Sequence, residues 1–385
     1  MLQLVFDYTP FYGEMGGEIG DTGYIESMDG EQIRILNTVK ENNLTIHIAE
    51  RIPADCKGTF TLVVDAARRQ AIANNHSCTH LLHQALREIL GTHVEQKGSF
   101  VCDKYFRFDF SHFEKMSDEQ LRQVEKRVNG LIRENNPLQE NRNATMEQAR
   151  QMGAMALFGE KYGDRVRVVR FGESVELCGG CHTGATGNIG LFKVVSESAV
   201  AAGIRRIEAV TGVEAESLVD NLQDTVRTAR SFFNNVPDLA GAIRKMVEEN
   251  EAYKKQMDQI AKERTLAFKK SLVEGAKAVN GRNIVELSGT DVDFGMLRNA
   301  AVMLQKEAEN LVIAAALLTA GKPQLLLMYS ADLVAAGKNA QADIKDAAKL
   351  IQGGGGGNAS LATAGGKDAH SLSAALETLK ALALK

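Results

Sequence analysis

Two pairs of metal-ligating residue types with one spacing, His76-x-x-x-His80 and Cys178-x-x-x-His182, constrain the fold more than any other feature of the chain. Together they offer four donors of the kinds zinc prefers. To grip a single cation, segments about a hundred positions apart must converge, so the intervening chain has to fold back on itself.

The first pair lies in a segment with strong helix signals. Thr59 to Val64 is β-branched and alternates like a short strand, Asp65 is placed to cap a helix, and no Gly or Pro interrupts Ala66 to Leu90 before Gly91. Residues four apart on a helix share a face, so both imidazoles reach one point from a rigid support. The second pair sits in Glu176-Leu177-Cys178-Gly179-Gly180-Cys181-His182-Thr183, where two glycines permit a tight turn. Two competing donors stand nearby. Cys181 makes the same turn a Cys-x-x-Cys, and His83 lies one helical turn beyond His80. A protease-type His-Glu-x-x-His is excluded, because Ser77, Cys78 and Thr79 include no general-base glutamate.

Length and composition bound the rest. A chain of 385 residues with 44% hydrophobic content supports two to three domains with separate cores. The longest apolar stretch, Leu311 to Ala320, falls short of the roughly 20 residues that cross a bilayer. With no signal-peptide pattern, the expectation is a cytoplasmic protein without a membrane partner. Five cysteines, an odd number without framework spacing, fit reduced thiols and a metal site. The net charge of −4 leaves any nucleic-acid contact to local basic patches.

Along the chain, the spacing predicts a multidomain α+β and α/β architecture in four segments. Residues 1–60 read as a small antiparallel β-barrel-like subdomain, with strands at Gln32–Leu36 and Leu44–Ile48 and turns at Gly16-Gly17 and Gly20 to Gly23. Residues 61–212 read as an α/β sandwich. There Ser99–Phe110 is one strand candidate, Ser117-x-x-Gln120 opens a helix with the stripe Leu121, Val124, Val128 and Ile132, and Thr145 opens another. Strand candidates Arg165–Phe171, Ile189–Ser196 and Gly203–Val210 bracket the Cys/His turn. Residues 213–280 read as a helical arm, with a 4-3 apolar alternation through Ile243, Met246, Asn250, Tyr253, Met257 and Ile260. An intramolecular arm is favoured there over a homodimer seam. Residues 281–385 read as a second α/β domain, with strands at Ile284–Leu287, Leu311–Leu318 and Gln324–Tyr329 and a helix from about Asp291. Within it, Gly353, Gly354, Gly355, Gly356 and Gly357 read either as a flexible linker or as a backbone cradle for phosphate or carbonyl groups.

The strings Thr9-Pro-Phe-Tyr-Gly-Glu-Met-Gly-Gly-Glu-Ile-Gly-Asp, Asn75-His-Ser-Cys-Thr-His-Leu-Leu-His, Cys178-Gly-Gly-Cys-His, Gly203-Ile-Arg-Arg-Ile-Glu-Ala-Val-Thr-Gly and Gly353 to Gly366 occur in this order. In that order they resemble the C-terminal portion of the alanyl-tRNA synthetase family, from end to end of the chain. The resemblance implies an editing domain resembling the second additional domain of tRNA synthetases, a helical arm, and a C-terminal tRNA-binding domain of DHHA1 type shared with the DHH phosphoesterases. The class II aminoacylation core is expected upstream, so no aminoacylation is expected of this chain alone. The implied activity is hydrolysis of tRNA(Ala) wrongly charged with serine or glycine, since a synthetic pocket cannot fully reject such close substrates.

By the family pattern His76, His80, Cys178 and His182 hold zinc, while Thr79 and Gln96 match positions tied to substrate discrimination and activity. Four protein ligands close a zinc site, which favours the metal as an organiser over simple hydroxide attack. Gly179 and Gly180 leave room for substrate and offer backbone donors to developing charge. Arg205 and Arg206 point to opposite faces of a strand, so one is expected to meet phosphate and the other a carboxylate. Phe11, Tyr12, Gly16 and Gly17 read as barrel core and turn near the cleft. The chain departs from the family pattern at Glu18, where Gln is usual, and at Cys181, where Thr is usual. The added charge of Glu18 is expected to repel phosphate or bind an amino group, and Cys181 opens the question of which sulfur holds the metal. The rival reading is a non-catalytic, zinc-containing tRNA-binding and dimerisation module. A phosphoesterase reading is disfavoured, because no Asp-His-His cluster accompanies the C-terminal domain.

Overall fold

Short runs of β-branched residues open the chain and pair into an antiparallel sheet. The computed structural model of the protein describes residues 2–42, 44–155 and 163–385. Strands β1 (Leu2–Leu4), β2 (Gly23–Ser27), β3 (Gln32–Glu41), β4 (Leu44–Ala49) and β5 (Phe60–Val64) lie in the order β1-β4-β3-β2-β5. In β3, Ile33 and Ile35 alternate inward and pack with Phe11, Ile25 and Ala49. The antiparallel pairing matches the expected subdomain. Closure is another matter: among the described residues no ladder joins β1 to β5, so the sheet is open and not a barrel.

Asp65 caps α1 (Ala66–Leu90) by accepting the Arg68 N–H, and Gly91 ends the helix at a φ of 117° that a side chain would resist. The expected single strand at 99–110 is instead a hairpin of β6 (Gln96–Val101) and β7 (Phe106–Ser111). Ser117 and Gln120 form the reciprocal capping box of α2 (Asp118–Arg133), whose Val124, Val128 and Ile132 are buried as their spacing predicts. Next come β8 (Gln139–Thr145), the short α3 (Met146–Gln151) capped by Thr145, β9 (Arg165–Phe171) and β10 (Ser174–Leu177). β8, β9 and β10 form a three-stranded sheet, of which the sequence reading found only the middle strand. β11 (Phe192–Ala201) and β12 (Ile204–Thr211) complete a four-stranded sheet, order β11-β12-β7-β6. Leu81, Leu82 and Leu86 of α1 and the stripe of α2 bury Phe106, Phe108 and Phe110 of that sheet. The first compact unit, residues 1–234, ends after α4 (Gly212–Ser231).

The second unit, residues 235–385, starts with the 36-residue α5 (Leu239–Glu274). The stripe that predicted this helix is largely uncovered: Met246, Tyr253 and Met257 are 51–65% exposed, and burial begins only at Thr265 and Leu272. β13 (Lys277–Val279), β14 (Arg282–Gly289), α6 (Phe294–Glu307), β15 (Leu311–Thr319), β16 (Lys322–Tyr329), α7 (Ala331–Ala335), α8 (Ala340–Leu350), β17 (Gly354–Gly357), β18 (Leu361–Gly365) and α9 (Leu372–Leu384) follow. Their six-stranded sheet runs β13-β14-β15-β16-β18-β17, and β14 pairs parallel with β15 across the α6 connection. β15 reads as a continuous apolar run because both of its faces are covered. Val312, Ala314 and Ala316 meet the layer of α8 and α9, while Ile313, Ala315 and Leu317 meet α6 and the end of α5. Among the described residues no helix is long and apolar enough to cross a membrane.

Candidate metal centre and cleft

The i, i+4 spacing on α1 stacks the His76 and His80 rings with centroids 5.6 Å apart and planes within 11°. β10 delivers the other pair. Its last residue precedes Cys178, whose N–H donates to the Arg167 carbonyl of the neighbouring strand, and the chain then turns through two glycines to His182. Cys178 Sγ lies 3.3 Å from Nε2 of both His76 and His182. One donor atom from each of His76, His80, Cys178 and His182 falls within 4.8 Å of all the others. In a tetrahedral zinc site the edges between N and S donors are about 3.5 Å, so these atoms need little movement to share an ion.

The opposite ring atoms are all held. Nδ1 of His76 contacts Glu18, Nδ1 of His80 lies 2.5 Å from Glu176, and Nδ1 of His182 lies 3.1 Å from Ser77 Oγ. Such outer contacts orient imidazole ligands and fix which nitrogen is free. Nε2 of His80 is buried without a hydrogen-bond partner. An orphaned ring nitrogen beside a thiolate and two more imidazoles fits a metal cation.

Charges within the cluster reinforce one another. Burial opposes charge on His76 and His80, yet the Cys178 sulfur and Glu18 lift His76 to about 9, and Glu176 with Cys178 lifts His80 to about 10. Burial pushes His182 down to about 4. Cys178 is held well below an ordinary thiol, against its burial, by His76 and the neighbouring rings. Burial and Glu18 push Cys181 up to about 12. Of the two sulfurs in the turn, Cys178 stands in the donor cluster, where its surroundings favour the thiolate, while Cys181 lies outside it, where they favour the thiol. The other competitor, His83, stands outside the donor cluster, and its Nδ1 lies 2.8 Å from the second oxygen of Glu176.

His76, His80 and Cys178 of the cluster form part of the wall of a cleft of about 460 Å³. Thr79 and Gln96 both line it, with Tyr12, Lys40, Arg165 and Arg167. Thr79 Oγ1 donates to the His76 carbonyl at 2.7 Å, which leaves its lone pairs for a donor in the cleft. The two glycines of the turn differ in what they make room for. A Cβ on Gly180 would sit 2.0 Å from the His76 ring and 2.5 Å from Glu18, whereas one on Gly179 would meet only the tip of Met15. Gly180 therefore serves the packing of the donors, and Gly179 the open space.

Other expected residues lie elsewhere. Both arginines of the pair are bound to carboxylates, Arg205 to Glu197 at 2.5 Å and Arg206 to Asp109 through two hydrogen bonds of 2.6 and 2.8 Å. Neither offers the unpaired charge expected of one of them. Gly354 to Gly357 form the edge strand β17, with Gly353 just before it, so the run is not a flexible linker. Glu18 is buried, which corrects the expectation that its charge faces a ligand. Sequence reasoning gave no role to Glu176, Ser77 or Arg167, which hydrogen-bonds the Gly180 carbonyl at 2.5 Å. Only the nearness of Glu176 to Cys178 hinted at one.

Comparison with known proteins finds matches along three parts of the chain. Family profiles match residues 1–67 (tRNA synthetases class II (A)), 166–208 (Threonyl and Alanyl tRNA synthetase second additional domain) and 280–385 (DHHA1 domain). Alanine–tRNA ligase of Bacteroides fragilis strain YCH46 is 50% identical over 384 residues, covering 100% of this chain and 44% of that protein. The chain belongs with the C-terminal region of the alanyl-tRNA synthetases. The alanine–tRNA ligase of Bacteroides thetaiotaomicron is also 50% identical over 384 residues, with the same coverage, and that of Porphyromonas gingivalis is 45% identical over 380, covering 98% of this chain and 43% of that protein. The chain thus spans less than half the length of these synthetases. The class II (A) match reaches the segment that the sequence reading assigned to a barrel-like subdomain alone. Among solved structures, the C-Ala domain from Aquifex aeolicus alanyl-tRNA synthetase is 27% identical, covering 29% of this chain and 98% of that one, with a TM-score of 0.26.

Proposed function

We propose that this chain is the editing and tRNA-binding region of an alanyl-tRNA synthetase, acting in the cytoplasm, and that it hydrolyses the ester of serine or glycine wrongly attached to tRNA(Ala). One observation carries the reading: three of the four clustered donors, His76, His80 and Cys178, line a cleft beside Thr79 and Gln96, with His182 behind them in the same cluster. Zinc is the cation that this thiolate and three imidazoles suit best, and when bound it supplies a fixed positive charge and a rigid wall.

The chain's own residues then do the selecting and positioning. Thr79, its proton committed to the His76 carbonyl, accepts a hydrogen bond from the amino group or serine hydroxyl of the aminoacyl moiety. Gln96, which donates to Ser99 Oγ at 3.2 Å, keeps its carbonyl oxygen to orient a water. Gly179 leaves the space the ester enters. Arg165 and Lys40 at the cleft meet phosphates of the RNA end, and the unit from 235 to 385 adds a further grip on the tRNA. A four-donor set leaves the cation no open position, so water is held by side chains and the substrate's ribose.

Incubating the protein with serine-charged tRNA(Ala) tests this. Wild type is expected to release serine well above the buffer rate, and Cys178→Ala and His76→Ala, folded as judged by circular dichroism, to fall to that rate. No release by wild type leaves the rival reading, a tRNA-binding and dimerisation module with a structural metal, which the closed donor set and the uncovered stripe of α5 favour.

A further inference from the structure

We propose that the turn Met15–Glu18 is a third, non-ligating arm of the metal centre, in which Glu18 is a positioning residue that sets the His76 ring and the Cys178–His182 turn against each other. The proposal rests on the metal reading above and adds a residue that the donor pattern does not contain.

The turn is built to deliver that side chain inward. Met15 and Glu18 exchange backbone hydrogen bonds at 3.2 and 3.1 Å, closing a tight loop around Gly16 and Gly17, whose φ values of 62° and 85° suit glycine. The loop is clamped onto β6. The Val101 N–H donates to the Gly17 carbonyl at 2.7 Å, and a Cβ on Gly17 would lie 2.2 Å from the Ser99 carbonyl oxygen. With its backbone so fixed, Glu18 is 1% exposed and can face only the interior.

There a single oxygen, Oε2, serves both halves of the donor set. It accepts from His76 Nδ1, which leaves Nε2 toward Cys178 Sγ, and from the Cys181 N–H at 2.9 Å. The first contact spans 58 positions of chain and the second 163. Gly180 packs beside the same oxygen, so the three segments interlock with no side chain between them. Removing the acceptor would strand two buried donors, one of which sets the orientation of a ligand ring.

The test uses the full chain, Zn²⁺ affinity by chelator competition, and the absorption spectrum of the Co²⁺ form. Glu18→Met keeps the bulk and removes the acceptor; Glu18→Gln keeps an acceptor oxygen. Glu18→Met is expected to bind Zn²⁺ about 10- to 100-fold more weakly, with altered Co²⁺ bands, and Glu18→Gln to stay within about threefold of wild type. In the Zn²⁺-loaded wild type, long-range ¹H–¹⁵N spectra are expected to place the His76 ring proton on Nδ1. Equal affinity and spectra for Glu18→Met and wild type overturn the proposal, as does a Glu18→Gln loss as large as that of Glu18→Met. If Glu18→Met does not fold, the Glu18→Gln affinity and the wild-type ring tautomer decide; a His76 bound through Nδ1 refutes the positioning role. A wild type that takes up neither Zn²⁺ nor Co²⁺ instead fails the metal reading itself.

Discussion

His47 shows at the level of one residue how the first sheet tolerates a polar side chain in its middle. The ring is fully buried, with Nε2 2.7 Å from Thr9 Oγ1 and Nδ1 3.2 Å from the Leu4 carbonyl, and Phe6 and Phe11 stand edge-on to it. Burial, against the hydrogen bond to Leu4, holds its pKa below the ordinary value of 6.5. The folded chain thus binds this proton less readily than the unfolded one. Its contribution to stability is fully present above pH 6.5 and is lost as the pH falls below that value. Thermal unfolding followed from pH 7 down to pH 5 should show residues 1–234 destabilised by acid, and His47→Gln should reduce that loss. At this scale the sequence was informative about donors and silent about their supports. His76 and His80 announce themselves by a local spacing, whereas Glu18 and Glu176 reach the rings across 58 and 96 positions, which no local pattern encodes.

Helix α9 separates two kinds of stabilisation within one element. Leu379 and Ala383 are fully buried against the six-stranded sheet, while Lys338 and Arg282 donate to the carbonyls of Leu382 and Ala383 at the helix end. Those carbonyls lack partners within the helix, so the two cations stand where charge and hydrogen bonding both favour them. Packing should still outweigh capping. Leu379→Ala is expected to cost about 2–5 kcal/mol in urea denaturation and Lys338→Met about 0.5–1.5 kcal/mol; a larger loss for the lysine would reverse this ranking. Elements with a strong period and a cap were legible in advance, α1 to its end residues and α2 through its capping box. The hairpin of β6 and β7 was not, because its turn at Asp103-Lys104 carries no Gly, Pro or Asn to break the apolar run. The glycines of β17 misled for the opposite reason: their composition signals a loop, yet pairing with β18 makes them a strand.

The molecule as a whole has two compact units with separate cores, and the four donors all belong to the first. A cation that binds only the folded donors stabilises that unit by mass action and leaves the other untouched. Calorimetry of the Zn²⁺-loaded protein should therefore show a chelator lowering the transition of residues 1–234 while that of 235–385 stays in place; a parallel drop in both would deny their independence. The second unit has a weak margin of its own. β17 brings no side chain to either face of the sheet, so it gains backbone pairing on one side and buries almost nothing. Each glycine also gives up more freedom on ordering than another residue would. Fraying of the second sheet accordingly begins at this border, long before its aliphatic interior is disturbed.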